Sequence, residues 1–313
     1  MKNKFELFDE LPQELQIETT PSLSNRELVN LAQTSKYHLA LFKPMIDVHK
    51  LLYHVTHGEH EAVKVMLEGD MSLIYKRGKV TDCSGRVFDN ISAFEYALWA
   101  LDKHMWAKMI ACIPHNEEGR KVFAKLIAQY NKVNTDGVTY RLNGKTITEQ
   151  HFDFKNTLIK ELQTQVNSLN APGIQDWDAI DKQWREGVGG AQKLLPMHVV
   201  YEYCSNEPFY PVPKFTSQPK SLKKFYNSTT KKAEDWFSAD SKLGSEFAVY
   251  RGGASHWASV MSSSLGSPDD LVAVKTLYEV RTQDFIDLKS QLEEQMSLDN
   301  DHHAVRPMLT AWR

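Results

Sequence analysis

The chain has 313 residues, enough for two or three compact units, and its 42% hydrophobic and 25% charged content is ordinary for a soluble globular protein. A formal net charge of -3 removes any overall electrostatic drive toward nucleic acid or a membrane surface. Three scattered cysteines, Cys83, Cys112 and Cys204, supply neither a disulfide framework nor a CxxC metal pair, so a reducing compartment is expected.

The first residues, MKNKFELFDELP, contain no apolar run of signal-peptide length, and no stretch is long and apolar enough to span a bilayer. An ordinary signal peptide is therefore not expected. In LPQELQIETTPSLSNRELVNLAQTSKYHLALFKP, residues 11 to 44, a short helix is expected around Pro12 to Gln16, because proline suits a first helical turn. Ser24 and Glu27 have capping-box spacing, and Leu23 and Leu28 occupy the positions of a hydrophobic staple, so the main helix should begin at Asn25. Its apolar residues Leu28, Leu31, Ala32, Leu39 and Phe42 fall on one face, and Pro44 should stop or bend it. Two short helices cannot bury their apolar faces on each other alone. They must pack on the remaining chain or on a partner.

The order Leu11-Pro12-x-Glu14-Leu15, followed by Leu23 and Leu28, resembles an F-box. Thr19 departs from it, standing where the family usually carries isoleucine or another large apolar residue. The resemblance implies a helical plug for the Skp-family linker of an SCF ubiquitin ligase and, through it, the cullin. Leu11, Pro12, Leu15, Leu23 and Leu28 would then be anchors buried at that interface rather than in the chain's own core.

The next stretch, LLYHVTHGEHEAVKVMLEGD from Leu51, has Gly58 closing one helix before a second begins, and it resembles the helix-turn-helix of an ankyrin repeat. Ser92, Ala93, Phe94, Glu95, Tyr96 and Ala97 fall where a second copy would carry T-P-L-H-x-A. The 43-residue offset from Leu51 to Phe94 exceeds the usual ~33, and the surplus VTDCSGRVFDN reads as an extended loop. Two repeats need caps on both sides. His54, His57 and His60, with His49 nearby, have a spacing that suggests a metal. Gly58 interrupts the helix between them and no carboxylate cluster completes the set, so packing and capping roles are expected and no metal.

Residues 118 to 134 should be helical with Val122, Phe123, Leu126, Ile127 and Tyr130 inward. GVTYRLNGKTIT carries Asn143-Gly144 between alternating residues, a type I′ hairpin signal that sets Tyr140 opposite Ile147. A helix with Phe154, Leu158, Leu162, Val166 and Leu169 follows, then one with Trp177, Ile180 and Trp184. Pro196 marks a kink or a fresh start. EPFYPVPKFTSQP is expected to lie on the body, pinned by Phe209 and Phe215, and KSLKKFYNSTTKK to be a solvated basic face. A long helix should run from Pro268 to Met296 before a loosely docked tail.

No P-loop, dinucleotide fingerprint, GxSxG or HExxH occurs. Cys204 lies near His198, without a visible positioned base or electropositive pocket. VYRGGASHWASVMSSSLG resembles ADP-ribosyltransferases in its Tyr-Arg-Gly strand and serine run, which implies Arg251 on cofactor phosphates. Arg251 and Ser262 are too close to bracket the usual intervening structure, and no Glu-x-Glu follows. The plainer alternative is a glycine turn with Arg251 paired to a structural carboxylate.

Taken together, the F-box-like start, the degenerate repeats and LLPMHVVYEYC resemble legionella-type secreted bacterial effectors, and SQLEEQMSLD is similar to an acidic type IV translocation signal. The resemblance implies delivery into a host cytosol. The expected fold is mostly α: an F-box-like module over 1–46, ankyrin-type helical pairs over 47–117, and a helical domain over 118–313 with one hairpin at 138–148. The expected function is a non-catalytic substrate adaptor, with no cofactor, that recruits a host protein. Rivals are an ADP-ribosyltransferase-like or other catalytic C-terminal domain, and a repeat-based binder without a ligase link.

Overall fold

The computed structural model describes residues 8, 10–20, 23, 25–221, 223–227, 230–251, 259–260 and 268–297. Its first helices are α1 (Gln13–Thr19), α2 (Asn25–Ala32) and α3 (Lys36–Thr56). The main helix starts at Asn25 as expected; Ser24 and its capping box lie outside the described residues. The expected run through to Phe42, ending at Pro44, is corrected. The chain turns at Gln33 and Thr34, Ser35 caps a new helix by accepting the His38 amide at 3.0 Å, and Pro44 sits inside α3.

A mid-helix proline removes one backbone bond and costs about 3 kcal/mol. Here burial on both sides of it offsets that cost. Before and around Pro44, Leu41, Phe42 and Ile46 pack with Leu28, Leu31 and Ala32 in a small N-terminal core. Beyond it, Val48, Leu51, Leu52 and Val55 join the main core. The expected boundary at residue 46 therefore falls in the middle of a continuous helix. Leu39, expected inward, is exposed.

Gly58 turns the chain into α4 (His60–Gly69). Its φ is +66°, and an added Cβ would lie 2.7 Å from the Tyr201 ring, so only glycine fits. A short 3-10 turn at Met71–Ile74 leads to β1 (Arg77–Thr81) and β2 (Val87–Ser92). Next come α5 (Ala93–Ala100), α6 (Lys103–Ile110), α7 (Glu117–Asp136), β3 (Val138–Leu142) and β4 (Lys145–Glu149). α3 lies against α5 and α4 against α6, so the two helical pairs are neighbours.

The four strands form one antiparallel sheet in the order β1-β2-β3-β4. The Asn143-Gly144 hairpin is present, with φ of +50° and +76° and Tyr140 opposite Ile147. The segment expected to be an extended loop instead contributes to the β1–β2 hairpin. Neither strand alternates cleanly in sequence. A register shift between Gly78 and Val80 aligns the hairpin so that Val80, Phe88 and Ile91 are buried.

A second sheet, ordered β6-β5-β8-β7, joins β5 (Lys224–Asn227), β6 (Lys232–Asp235), β7 (Val249–Tyr250) and β8 (Ser259–Val260), with β5 and β8 parallel. The fold is thus mixed α/β, which corrects the expectation of a mostly α chain with one hairpin. The expected solvated basic face is itself a strand pair in which Phe225 and Asn227 turn inward beneath exposed lysines.

In the C-terminal half, a π-helical turn at Lys155–Ile159 runs into α8 (Lys160–Leu169). α9 (Trp177–Lys182), a second π-turn at Gln183–Val188, α10 (Gly189–Gln192) and α11 (Met197–Tyr203) follow. Pro196 is the cap of α11, hence a fresh start rather than a kink. Phe209 and Phe215 are buried and pin the proline-rich loop. α12 (Pro268–Ser297) returns across α7, where Phe285 stacks on Tyr130 at 4.7 Å. One contiguous core extends from Val48 to Leu292, so no break in packing coincides with the expected boundary at 117. The tail from residue 298, including the end of SQLEEQMSLD, lies outside the described residues.

Three arginines, Arg86, Arg251 and Arg281, are sealed inside this core. Arg86 is 2% exposed; it faces Asp82 at 3.4 Å, donates to the Leu194 carbonyl at 2.8 Å, and lies 5.2 to 5.5 Å from the rings of Trp99, Tyr140 and Phe152. Arg281, 0% exposed, donates to the Phe215 carbonyl at 2.8 Å and approaches Asp284 at 3.1 Å, Glu202 at 3.5 Å and His104 Nε2 at 2.9 Å. Burial pushes Glu202 up to about 7 in spite of Arg281. Burial, reinforced by the Arg281 charge, holds His104 down to about 4, and burial holds His198 there as well.

Removing one member of a buried pair strands the other charge. Arg86→Ala should therefore lower the unfolding free energy by about 3–5 kcal/mol in urea titration, and a loss below about 1 kcal/mol would show that the contacts described are not the ones holding the core. Glu202 supplies a pH signature. Its folded value lies above the ordinary 4.5, so the folded state holds the extra proton between about 4.5 and 7, and stability falls as pH rises through that window. Glu202→Gln abolishes that fall. Its stability relative to wild type should rise by roughly 3 kcal/mol between about pH 4 and about pH 8, measured by denaturant unfolding at each pH.

Candidate partner-binding surface

α1 buries polar groups and exposes apolar ones. Gln16 and Thr20, one turn apart, are both buried. Gln16 Nε2 donates to the Phe8 and Leu11 carbonyls at 3.1 and 3.0 Å, and Thr20 Oγ1 contacts the Ile17 carbonyl at 2.6 Å and Met45 Sδ at 3.4 Å. Thr20 thus touches α3 through Met45, while Gln16 ties α1 to the residues just before it. The other residues from Pro12 to Thr19 are exposed, Leu15 at 44% and Ile17 at 39% alongside Gln13, Glu14 and Glu18. Tyr37 and Leu39, at the start of α3, are exposed on the same module.

The five residues singled out in the sequence separate into three groups. Pro12 and Leu15 face outward and are free to meet a partner. Leu11 and Leu23 are half-buried, Leu23 against the small core. Leu28 is 1% exposed and belongs to that core with Phe42 and Ile46, which corrects its expected role as an interface anchor. The staple geometry explains this: a residue one turn into α2 points back at the helix it packs on. Thr19 Oγ1 donates to the Gln16 carbonyl at 2.9 Å.

Ile17 and Tyr37 were not singled out and Leu39 was expected inward, although the inverted pattern of α1, with a glutamine inside and leucine and isoleucine outside, marks an exposed apolar surface. Burial of apolar surface favours folding by about 25 cal/mol per Å². Side chains left out of that gain are the ones available for association.

The chemical candidates elsewhere do not assemble. His54 Nδ1 pairs with Glu59 at 2.6 Å, His57 stacks on Tyr53 at 3.8 Å, and His60 Nδ1 meets Gln218 at 2.9 Å, so the three rings are engaged separately. Among the described residues no group of histidine, cysteine and carboxylate side chains could hold a metal ion. Cys204 lines a cleft of about 690 Å³ with Tyr201 and Phe225, but burial pushes its thiol up to about 12, which keeps it protonated. His198 Nε2 is tied to the Ala100 carbonyl at 2.6 Å. Arg251 is buried; its guanidinium donates to the Ser205 carbonyl at 2.9 Å and to that of Glu207, and its amide to Asp270 at 2.9 Å. An arginine so enclosed is not presented to a cofactor phosphate. Ser262 and the glycines after Arg251 lie outside the described residues. No described helix is long and apolar enough to cross a membrane.

No solved structure matches the chain. Residues 157–292, from the first π-turn into α12, match the family described as the CBUA0006 C-terminal domain. The chain is also 36% identical to the uncharacterized protein CBUA0006 of Coxiella burnetii (strain RSA 493 / Nine Mile phase I), over 76% of this chain and 73% of that relative. With the match extending well beyond the C-terminal domain, the chain belongs to the CBUA0006 family.

Proposed function

We propose that the protein is a non-catalytic adaptor of the F-box type. Its N-terminal module docks on the Skp-family linker of a host SCF ubiquitin ligase, with the cullin beyond it, and the body holds a host protein for ubiquitination. The observation that carries this reading is the outward face of α1. Pro12 and Leu15, two positions of the F-box-like order, point away from a module that already has its own small core. The proposal includes a type IV-like route of delivery into the host cytosol, and the Coxiella burnetii relative is in keeping with a bacterial source.

Nothing favours an enzyme over this reading. The Cys204 thiol is protonated and Arg251 is enclosed in the core. A binder that uses only its helical pairs would leave the exposed Leu15 and Ile17 without a role.

Leucine anchors at a hot spot are worth ~2 kcal/mol or more each. Pro12→Ala combined with Leu15→Ala should therefore abolish co-purification with the purified Skp-family linker while changing the melting temperature by no more than about 2 °C. Leu28→Ala should behave oppositely in origin. It lowers stability by about 2–5 kcal/mol, and linker binding falls only as the module unfolds. Wild-type protein that fails to bind the purified linker, or an outward double variant that binds it as well as wild type, would overturn the proposal.

A further inference from the structure

The proline-rich loop joins the end of α11 to the β5–β6 hairpin, and a bridge between Ser205 and Ser221 draws the two ends of that loop together. β5 and β6 pair with Lys224 opposite Asp235 and Tyr226 opposite Ala233. Residues directly opposite share a face of the ribbon. Lys224, Tyr226, Ala233 and Asp235 therefore stand on its outer face, while Phe225 turns inward.

The cleft of about 690 Å³ lies among the hairpin, the loop and the end of α11. Its volume falls inside the ~300–1,000 Å³ typical of small-molecule sites. The cleft reaches the packed body, because Tyr201 and Phe225, 8% and 1% exposed, both line it. Its outer wall carries Tyr226, 37% exposed, a ring against which a flat ligand can lie.

Charge selects the ligand. Among the described residues that line the cleft none is an aspartate or glutamate, and two, Lys220 and Lys224, are lysines. Both are exposed. Among the described residues Lys220 pairs with no carboxylate, and the pair between Lys224 and Asp235 is 4.0 Å long and exposed on both sides, so water screens it. Lys223 is committed elsewhere: its Nζ donates to the His57 carbonyl at 2.7 Å and lies 3.8 Å from Glu59. The two lining lysines are thus unopposed across the cleft, where Asn206 adds a side-chain amide.

We infer that this cleft binds a small organic anion with a flat apolar body, an aromatic carboxylate or phosphate. The body lies between Tyr226 and the inner wall of Tyr201 and Phe225, and Lys220 and Lys224 hold the anion at the entrance. The site does not depend on the linker reading, since no residue of α1, α2 or α3 lines it.

The test uses the full chain and two dyes, anilinonaphthalene sulfonate, a fluorescent aromatic anion, and its uncharged counterpart phenylnaphthylamine. The anionic dye should bind once per chain and at least about tenfold more tightly than the neutral one. Lys220→Glu with Lys224→Glu should weaken the anionic dye by about tenfold or more and leave the neutral dye within about twofold. Ala233→Trp, which fills the space beside Tyr226, should weaken both; each variant is checked for wild-type melting. Adenosine monophosphate and naphthoate then compete for the bound dye. Displacement by the first assigns the anion as phosphate and by the second as carboxylate; displacement by neither overturns the inference. Absence of dye binding also overturns it. So do equal affinities for the two dyes, or an anionic dye that ignores the lysine and Ala233 changes, which would place it on apolar surface elsewhere, such as Leu15 and Ile17.

Discussion

The Arg86 guanidinium is where the parts of this molecule meet. It projects from the β1–β2 connection into rings supplied by α5, β3 and the segment before α8, and it donates to the carbonyl of Leu194 ahead of α11. A buried cation must recover, from carboxylate, carbonyl and π-face, the solvation it loses. That requirement holds the hairpin, the sheet and the C-terminal half in one arrangement. Asp82 is bound into the same requirement: its carboxylate accepts the backbone amides of Ser84 and Arg86, so the turn that carries the arginine is built around the arginine's counterion.

α3 performs a different kind of coupling. Its first half is the floor of a small core and its second half a wall of the large one. Pro44, between them, weakens the helix locally without ending it, because side chains on either side are held independently. The N-terminal module is therefore rigidly attached yet separately packed. This arrangement suits a docking element: outward residues on α1 can be recruited to a partner without drawing on the body's core.

The same attachment brings β1 against α3. Gly78 approaches α3 closely, where a Cβ would lie 2.9 Å from Val48.

Periodic and punctuating signals in the sequence were legible. The helix starting at Asn25, the apolar faces of α7 and α12, the Asn143-Gly144 hairpin and the pinning of the proline-rich loop by Phe209 and Phe215 are all local patterns in which neighbours a few residues apart decide the outcome. What tertiary structure alone decided were the non-local choices. Pro44 remains helical because two cores grip α3. RGKVT and VFDNIS become strands because β3 and α3 are there to pair with and pack on, while KFYN pairs along its length with KAED of β6 and meets Ser259 at Tyr226. The direction in which each leucine of the N-terminal module points was also undecided by sequence. Leu15 and Leu28 have the same chemistry; burial of Gln16 and Thr20, the latter against Met45 of α3, leaves the first outward, while the packing of α2 on that helix buries the second. Amphipathic spacing tells which residues share a face; which face meets the protein and which meets a partner is set by the area available to cover it.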